Sequence, residues 1–164
     1  MIKKISALTE EEKRVLNSMY INYFKNYGNL KSSNYSNRLN YLLIRAMSRV
    51  YATKMMDMLN RGERIGYACF LEDKLRGFVI GRLYDDDEAW ISHLSVEGET
   101  FDEKKMIALQ LFKSIAEEFR NEGKKIISIE SSIDSPDLEF ILSKLDFTLT
   151  RKFENGDDIY EKRL

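Results

Sequence analysis

The chain has 164 residues, 43% of them hydrophobic and 32% charged with a single Pro, which suits one folded domain over residues 1–164 and excludes a disordered chain. Its 26 basic and 27 acidic residues leave a net charge of −1, so no field draws nucleic acid or an anionic membrane surface. The start Met1-Ile2-Lys3-Lys4 lacks the apolar stretch of a signal peptide, apolar runs such as 41–44 are too short to span a bilayer, and Cys69 is the one cysteine; the expected compartment is the cytoplasm.

Ile2 to Ile5 reads as a short strand, and Thr9-Glu10-Glu11-Glu12 as a capping box that opens a helix. Val15, Leu16, Met19, Tyr20, Tyr23, Phe24 and Tyr27 recur at three and four residues, an apolar stripe ending just before Gly28. The polar stretch 29–36 reads as a loop, and a second helical region runs from near Ser36 to about Asn60 with Leu39, Leu42, Leu43, Ala46, Met47 and Val50 at helical spacing. A break near Tyr51 and Thr53 stays open, and Met55, Met56 and Met58 read as core filling before a partner surface.

Beyond Gly62 the period shortens. Ile65 to Leu71 and Leu75 to Tyr84 are β-type runs joined by the turn Glu72-Asp73-Lys74, and Asp85-Asp86-Asp87 turns the chain into Ala89 to Val96, so three strands should form an antiparallel meander. Helical spacing returns at Ile107, Ala108, Leu111, Phe112, Ile115, Ala116 and Phe119, with Gly123 as the stop. Ile126 to Ile129 reads as a buried strand, Ser135-Pro136-Asp137 as the start of a short helix ending near Leu145, and Phe147 to Phe153 with Ile159 to Leu164 as a closing hairpin around Asn155-Gly156-Asp157.

The predicted fold is thus an α/β (α+β) mixed sheet flanked by helices, in the order β-α-α-β-β-β-α-β-α-β-β. With that order, Gly77-Phe78-Val79-Ile80-Gly81, the strand Ile91 to Val96 before a long helix, and 140–147 (Phe-Ile-Leu-Ser-Lys-Leu-Asp-Phe), the chain resembles the GNAT family of N-acetyltransferases over nearly its whole length. The resemblance implies an acyl-CoA co-substrate, acetyl-CoA or another, and an amine acceptor on a small molecule or peptide. It implies that the pantetheine arm lies along the backbone of Leu94, Ser95 and Val96 and the pyrophosphate on the following helix start. The family's Gln/Arg-x-x-Gly-x-Gly/Ala pattern falls on Phe101, Asp102, Glu103, Lys104, Lys105 and Met106, where every diagnostic position differs and only Lys104 and Lys105 offer charge to phosphate. Ser135 stands where relatives have a cofactor-contacting Asn, Leu142 where many carry a proton-donating Tyr, and Asp146 where Gly is usual.

Acyl transfer to an ammonium group needs a base, directly or through water, and a donor that polarises the thioester carbonyl. Glu88, at the start of the central strand, and His93, the one histidine, are the candidate catalytic residues; the competing readings are a turn-closing carboxylate and a hydrogen-bonded structural histidine. Asp85, Asp86 and Asp87 read as a solvated turn before a lure for a cationic acceptor, and Trp90, Tyr84 and Tyr67 as core before a pocket lining. One Cys and one His build no typical zinc site. A non-catalytic binding module of the same fold is the alternative, and a homodimer is left open.

Overall fold

The computed structural model describes residues 1–31, 42–43, 46–132, 142–152 and 157–164. They form two compact units, Ser6–Glu63 and Met1–Ile5 with Arg64–Leu164.

In the first unit, helix α1 (Glu10–Lys31) begins where the sequence placed its cap. The Thr9 hydroxyl accepts the Glu12 amide at 3.2 Å while the Glu12 carboxylate accepts the Thr9 amide at 2.9 Å, and Glu10, Glu11 and Glu12 meet the positive end of the helix dipole. Leu16, Met19, Tyr20 and Phe24 form the buried stripe, but Val15 is exposed, one position off that face. The helix also passes through Gly28 to Lys31 rather than ending before the glycine. Gly inside a helix costs only about 1 kcal/mol relative to Ala, which a long helix absorbs.

Helix α2 (Ser48–Asn60) buries Ser48, Ala52, Met55 and Leu59 and runs unbroken through Tyr51 and Thr53. Its start follows Met47, and Gly62 at φ 73 ends it with the left-handed turn that glycine adopts without strain. Leu42, Leu43, Met47 and Val50, expected on the apolar stripe, are exposed. α2 packs on α1, with Phe24 and Tyr51 ring centroids 5.4 Å apart.

The second unit is one seven-stranded mixed sheet in the order β1-β2-β3-β4-β5-β7-β6. Its strands are β1 (Ile2–Lys4), β2 (Ile65–Leu71), β3 (Lys74–Leu83), β4 (Glu88–Val96), β5 (Ile126–Ser132), β6 (Thr148–Arg151) and β7 (Asp157–Arg163). The expected meander is present: β2, β3 and β4 pair antiparallel, and Glu72 and Asp73, at φ 50 and 60, make the tight β2–β3 turn. β4 and β5 are parallel, so α3 (Phe101–Asn121) crosses over one sheet face. β7 inserts between β5 and β6, so the last strand, not the one after β5, pairs with β5.

Ile107, Ala108, Leu111, Phe112, Ile115 and Phe119 of α3 are buried in one cluster with Val79, Ala89, Ile91, Ile127, Ile129, Leu142 and Phe147. Gly77 and Gly81 bring β3 and α3 into close approach: a Cβ on Gly81 would stand 2.6 Å from Phe119 Cζ and 2.7 Å from the Trp90 carbonyl oxygen. That clearance is why the glycine pair of the family-like segment sits on this strand.

Candidate acyl-transfer cleft

The site is made by a fault in the sheet. β4 pairs with β5 only from Glu88 to Ile91, opposite Ile126 to Ile129. Against β3 the register jumps at the same point, Gly81 facing Ile91 and Ile80 facing His93, so Ser92 is an extra residue. Such a bulge bends its strand and strengthens the local twist. Beyond it β4 keeps β3 on one side and, among the described residues, has no strand partner on the other, while β5 continues to Ser132 and pairs there with β7. The gap between β4 and β5 therefore opens past Ile91.

The bulge also decides what faces the gap. The Glu97 amide donates to the Arg76 carbonyl at 2.7 Å, so by the alternation of antiparallel pairing Ser95 and His93 turn their main-chain groups toward β3. Leu94 and Val96 turn theirs the other way, into the gap; of the three amides expected there, that of Ser95 points elsewhere. Their side chains pack on the α3 cluster, whereas His93 and Ser95 share the opposite face with Ile80 and Phe78. Without the extra residue, His93 would point into the α3 core.

His93 is half-buried. Burial, helped by repulsion from the Arg64 guanidinium, lowers its pKa to about 4, so the imidazole is neutral near pH 7. Glu88 lies on the same face at the closed end of β4, roughly 15 Å from His93 at strand rise. Its carboxylate accepts a hydrogen bond from the buried Ser128 hydroxyl. Between them on that face stands Trp90, whose buried indole N–H has no hydrogen-bond partner among the described residues. Tyr84 lies 5.8 Å from Trp90.

Tyr67 does not join this group. It is on the α3 face, donating to Glu118 at 2.7 Å, while Lys4 reaches the other oxygen of that carboxylate at 2.5 Å. Burial first, then the Glu118 carboxylate, pushes the phenol pKa far up, and the Lys4 and Tyr67 hydrogen bonds hold Glu118 below its usual range. The acidic turn is likewise occupied within the fold. Asp85 accepts the amides of Asp87 and Glu88 at 3.0 and 2.7 Å, and Asp87 pairs with Lys125 at 2.7 Å.

At the other end of the gap, α3 starts under its own cap. Thr100 Oγ1 accepts the Glu103 amide at 3.2 Å, and the Glu103 carboxylate accepts the Glu99 amide at 2.8 Å. Thr100-x-x-Glu103 is a capping-box signature legible in the sequence. Phe101, Asp102 and Met106 are exposed, and Lys104 and Lys105 are half-buried. Leu142 is fully buried in the core, and Asp146 holds φ 60 in a helix-terminating turn in which Phe147 and Asp146 donate to the Leu142 and Ser143 carbonyls at 3.0 and 3.4 Å. The family-like ending is thus a helix stop whose usual glycine conformation is taken by Asp146. Ser135 lies outside the described residues. Among the described residues no group of three His, Cys, Asp or Glu could hold a metal ion, and no helix is long and apolar enough to cross a membrane.

A mixed sheet split after its central strand, with a helix start at the mouth of the split, is the architecture of acyl-CoA-dependent acetyltransferases. Similarity to solved structures agrees: the chain has the fold of the GNAT acetyltransferases. An N-acetyltransferase called PaiA from Thermoplasma acidophilum, in complex with coenzyme A, superposes with a TM-score of 0.74 at 16% identity, covering 100% of this chain and 99% of that one. An aminoglycoside 6′-N-acetyltransferase complexed with coenzyme A gives 0.69 at 17% identity over 99% of this chain and 96% of that one. The aminoglycoside 6′-N-acetyltransferase of Enterococcus faecium gives 0.66 at 17% identity over the same shares, 99% and 96%. No protein-family profile and no curated protein sequence matches the chain.

Proposed function

We propose that the chain is an N-acyltransferase that moves an acetyl or other acyl group from acyl-CoA to an amine of a small molecule or protein by direct attack. The observation that carries the reading is the gap beside β4 with the Leu94 and Val96 main-chain groups turned into it. A neutral arm bearing amides pairs with such an edge as an added strand would. The Leu94 N–H then donates to the thioester oxygen and stabilises the negative charge that builds there as the amine nitrogen attacks and the carbon–sulfur bond breaks.

The amine must lose a proton first. His93 is the nearest candidate, a neutral acceptor on that strand, but its depressed pKa makes it a relay rather than a terminal base. Glu88 would receive the proton through water along the face that Trp90 lines. The departing thiolate, with a pKa of about 8.5 for an ordinary thiol, leaves without a dedicated acid, in keeping with the buried Leu142 at the usual tyrosine position. The aminoglycoside enzymes of like fold make a small polyamine-like acceptor a sensible first choice. A buried Cys69 and the absence of a second cysteine suit a cytoplasmic setting.

A second reading has its own support. The acidic, self-capped start of α3 favours a binding module of this fold that does no chemistry. Calorimetry with acetyl-CoA, followed by thiol release over a panel of amines, separates the two. Micromolar binding with turnover upholds the enzyme, binding without turnover on any amine upholds the module, and no binding at millimolar ligand defeats both.

A further inference from the structure

The two halves of the cleft do not suit the same ligand. The β4 edge offers uncharged main-chain groups backed by Leu94 and Val96, which pack on the core. The α3 start, where the phosphates of coenzyme A would be expected, is disfavoured for them in three ways. The Glu99 and Glu103 amides are taken by Glu103 and Thr100 of the same chain. The loop at Gly98 lies close against the first turn: a Cβ there would meet Lys104 Cγ at 3.0 Å and the Lys104 amide nitrogen at 3.2 Å, which leaves little room between loop and helix start. Residues 97–105 also carry four carboxylates, Glu97, Glu99, Asp102 and Glu103, against the two ammonium groups of Lys104 and Lys105. An incoming phosphate meets net repulsion over these few residues, well inside a Debye length of about 8 Å at physiological salt.

We propose that this chain grips an acyl thioester by its pantetheine arm and gives the nucleotide phosphates no seat at the α3 start, so that acyl-pantetheine and acyl-CoA are near-equivalent donors. The inference rests on the N-acyltransferase reading and narrows its donor.

The test is calorimetric binding of acetyl-CoA and acetyl-pantetheine to the full chain, each at low and high salt. The two dissociation constants are expected within about tenfold of one another, and added salt should leave acetyl-CoA affinity unchanged or raise it, since screening relieves repulsion. The double variant Asp102→Asn, Glu103→Gln keeps the cap geometry, removes two charges, and should tighten acetyl-CoA severalfold without changing acetyl-pantetheine. Acetyl-CoA bound more than about a hundredfold tighter than acetyl-pantetheine, or weakened by salt as a phosphate contact would be, overturns the donor inference and leaves the acyltransferase reading standing. Failure of both ligands to bind overturns the two together.

Discussion

Acid should weaken this fold through His93 in a way that can be calculated. The imidazole titrates at 6.5 when unperturbed and at about 4 in the fold, because burial and then Arg64 disfavour its charged form. As the folded value is the lower one, the unfolded chain takes up the proton first as pH falls. The contribution is therefore intact above pH 6.5, lost progressively between 6.5 and 4, and constant below. Integrating between pH 7.5 and 5 gives a loss of about 2 kcal/mol from this one group. Urea unfolding of the wild type and of His93→Gln at those two pH values measures it, the variant cancelling the carboxylates that titrate in both proteins. The wild type should lose about 2 kcal/mol more than the variant over that interval. Equal losses would refute the reasoning and mean that the imidazole is solvated and ionises normally.

Leu94→Pro removes the amide proposed to polarise the thioester but no ladder bond, because that N–H faces the gap. Proline is tolerated at such an unpaired edge, so the variant should fold, by circular dichroism, yet turn over about 10²–10³ times more slowly, the usual loss of one oxyanion donor. Gly81→Ala forces a methyl against Phe119 and the Trp90 carbonyl and should cost about 1–3 kcal/mol in urea unfolding; no change would mean that α3 is less tightly seated on β3. Glu88→Gln keeps an acceptor for Ser128 but not a base. It should lower turnover by about 10²-fold or more at unchanged acetyl-CoA affinity, and unaltered turnover would remove Glu88 from the proton path.

How far the sequence can be read depends on how local each signal is. The Thr9 cap, the α3 stripe from Ile107 to Phe119, the Glu72-Asp73 turn and the Gly123 stop are written within a few residues, and each stands where the residues placed it. The Gly77 and Gly81 pair was legible as a motif, but its reason, the closeness of Phe119 and Ile107, needed the packed helix. Val15 and Val50 misled because an apolar residue at helical spacing need not lie on the buried arc, and exposure is a property of the neighbours.

The amino-acid order alone thus settles the types of the described strands and of the two long helices, the meander and the resemblance to a fold, whereas the end of α1 and the start of α2 lie away from where the residues put them. Tertiary structure alone decides that β7 inserts between β5 and β6, that Ser92 bulges without any glycine or proline to mark it, and that the bulge turns Leu94 and Val96 rather than Ser95 toward the gap. The physical reason is that pairing register and strand order are set by contacts between residues far apart in the chain, where a shift of one position reverses every amide and every side chain beyond it.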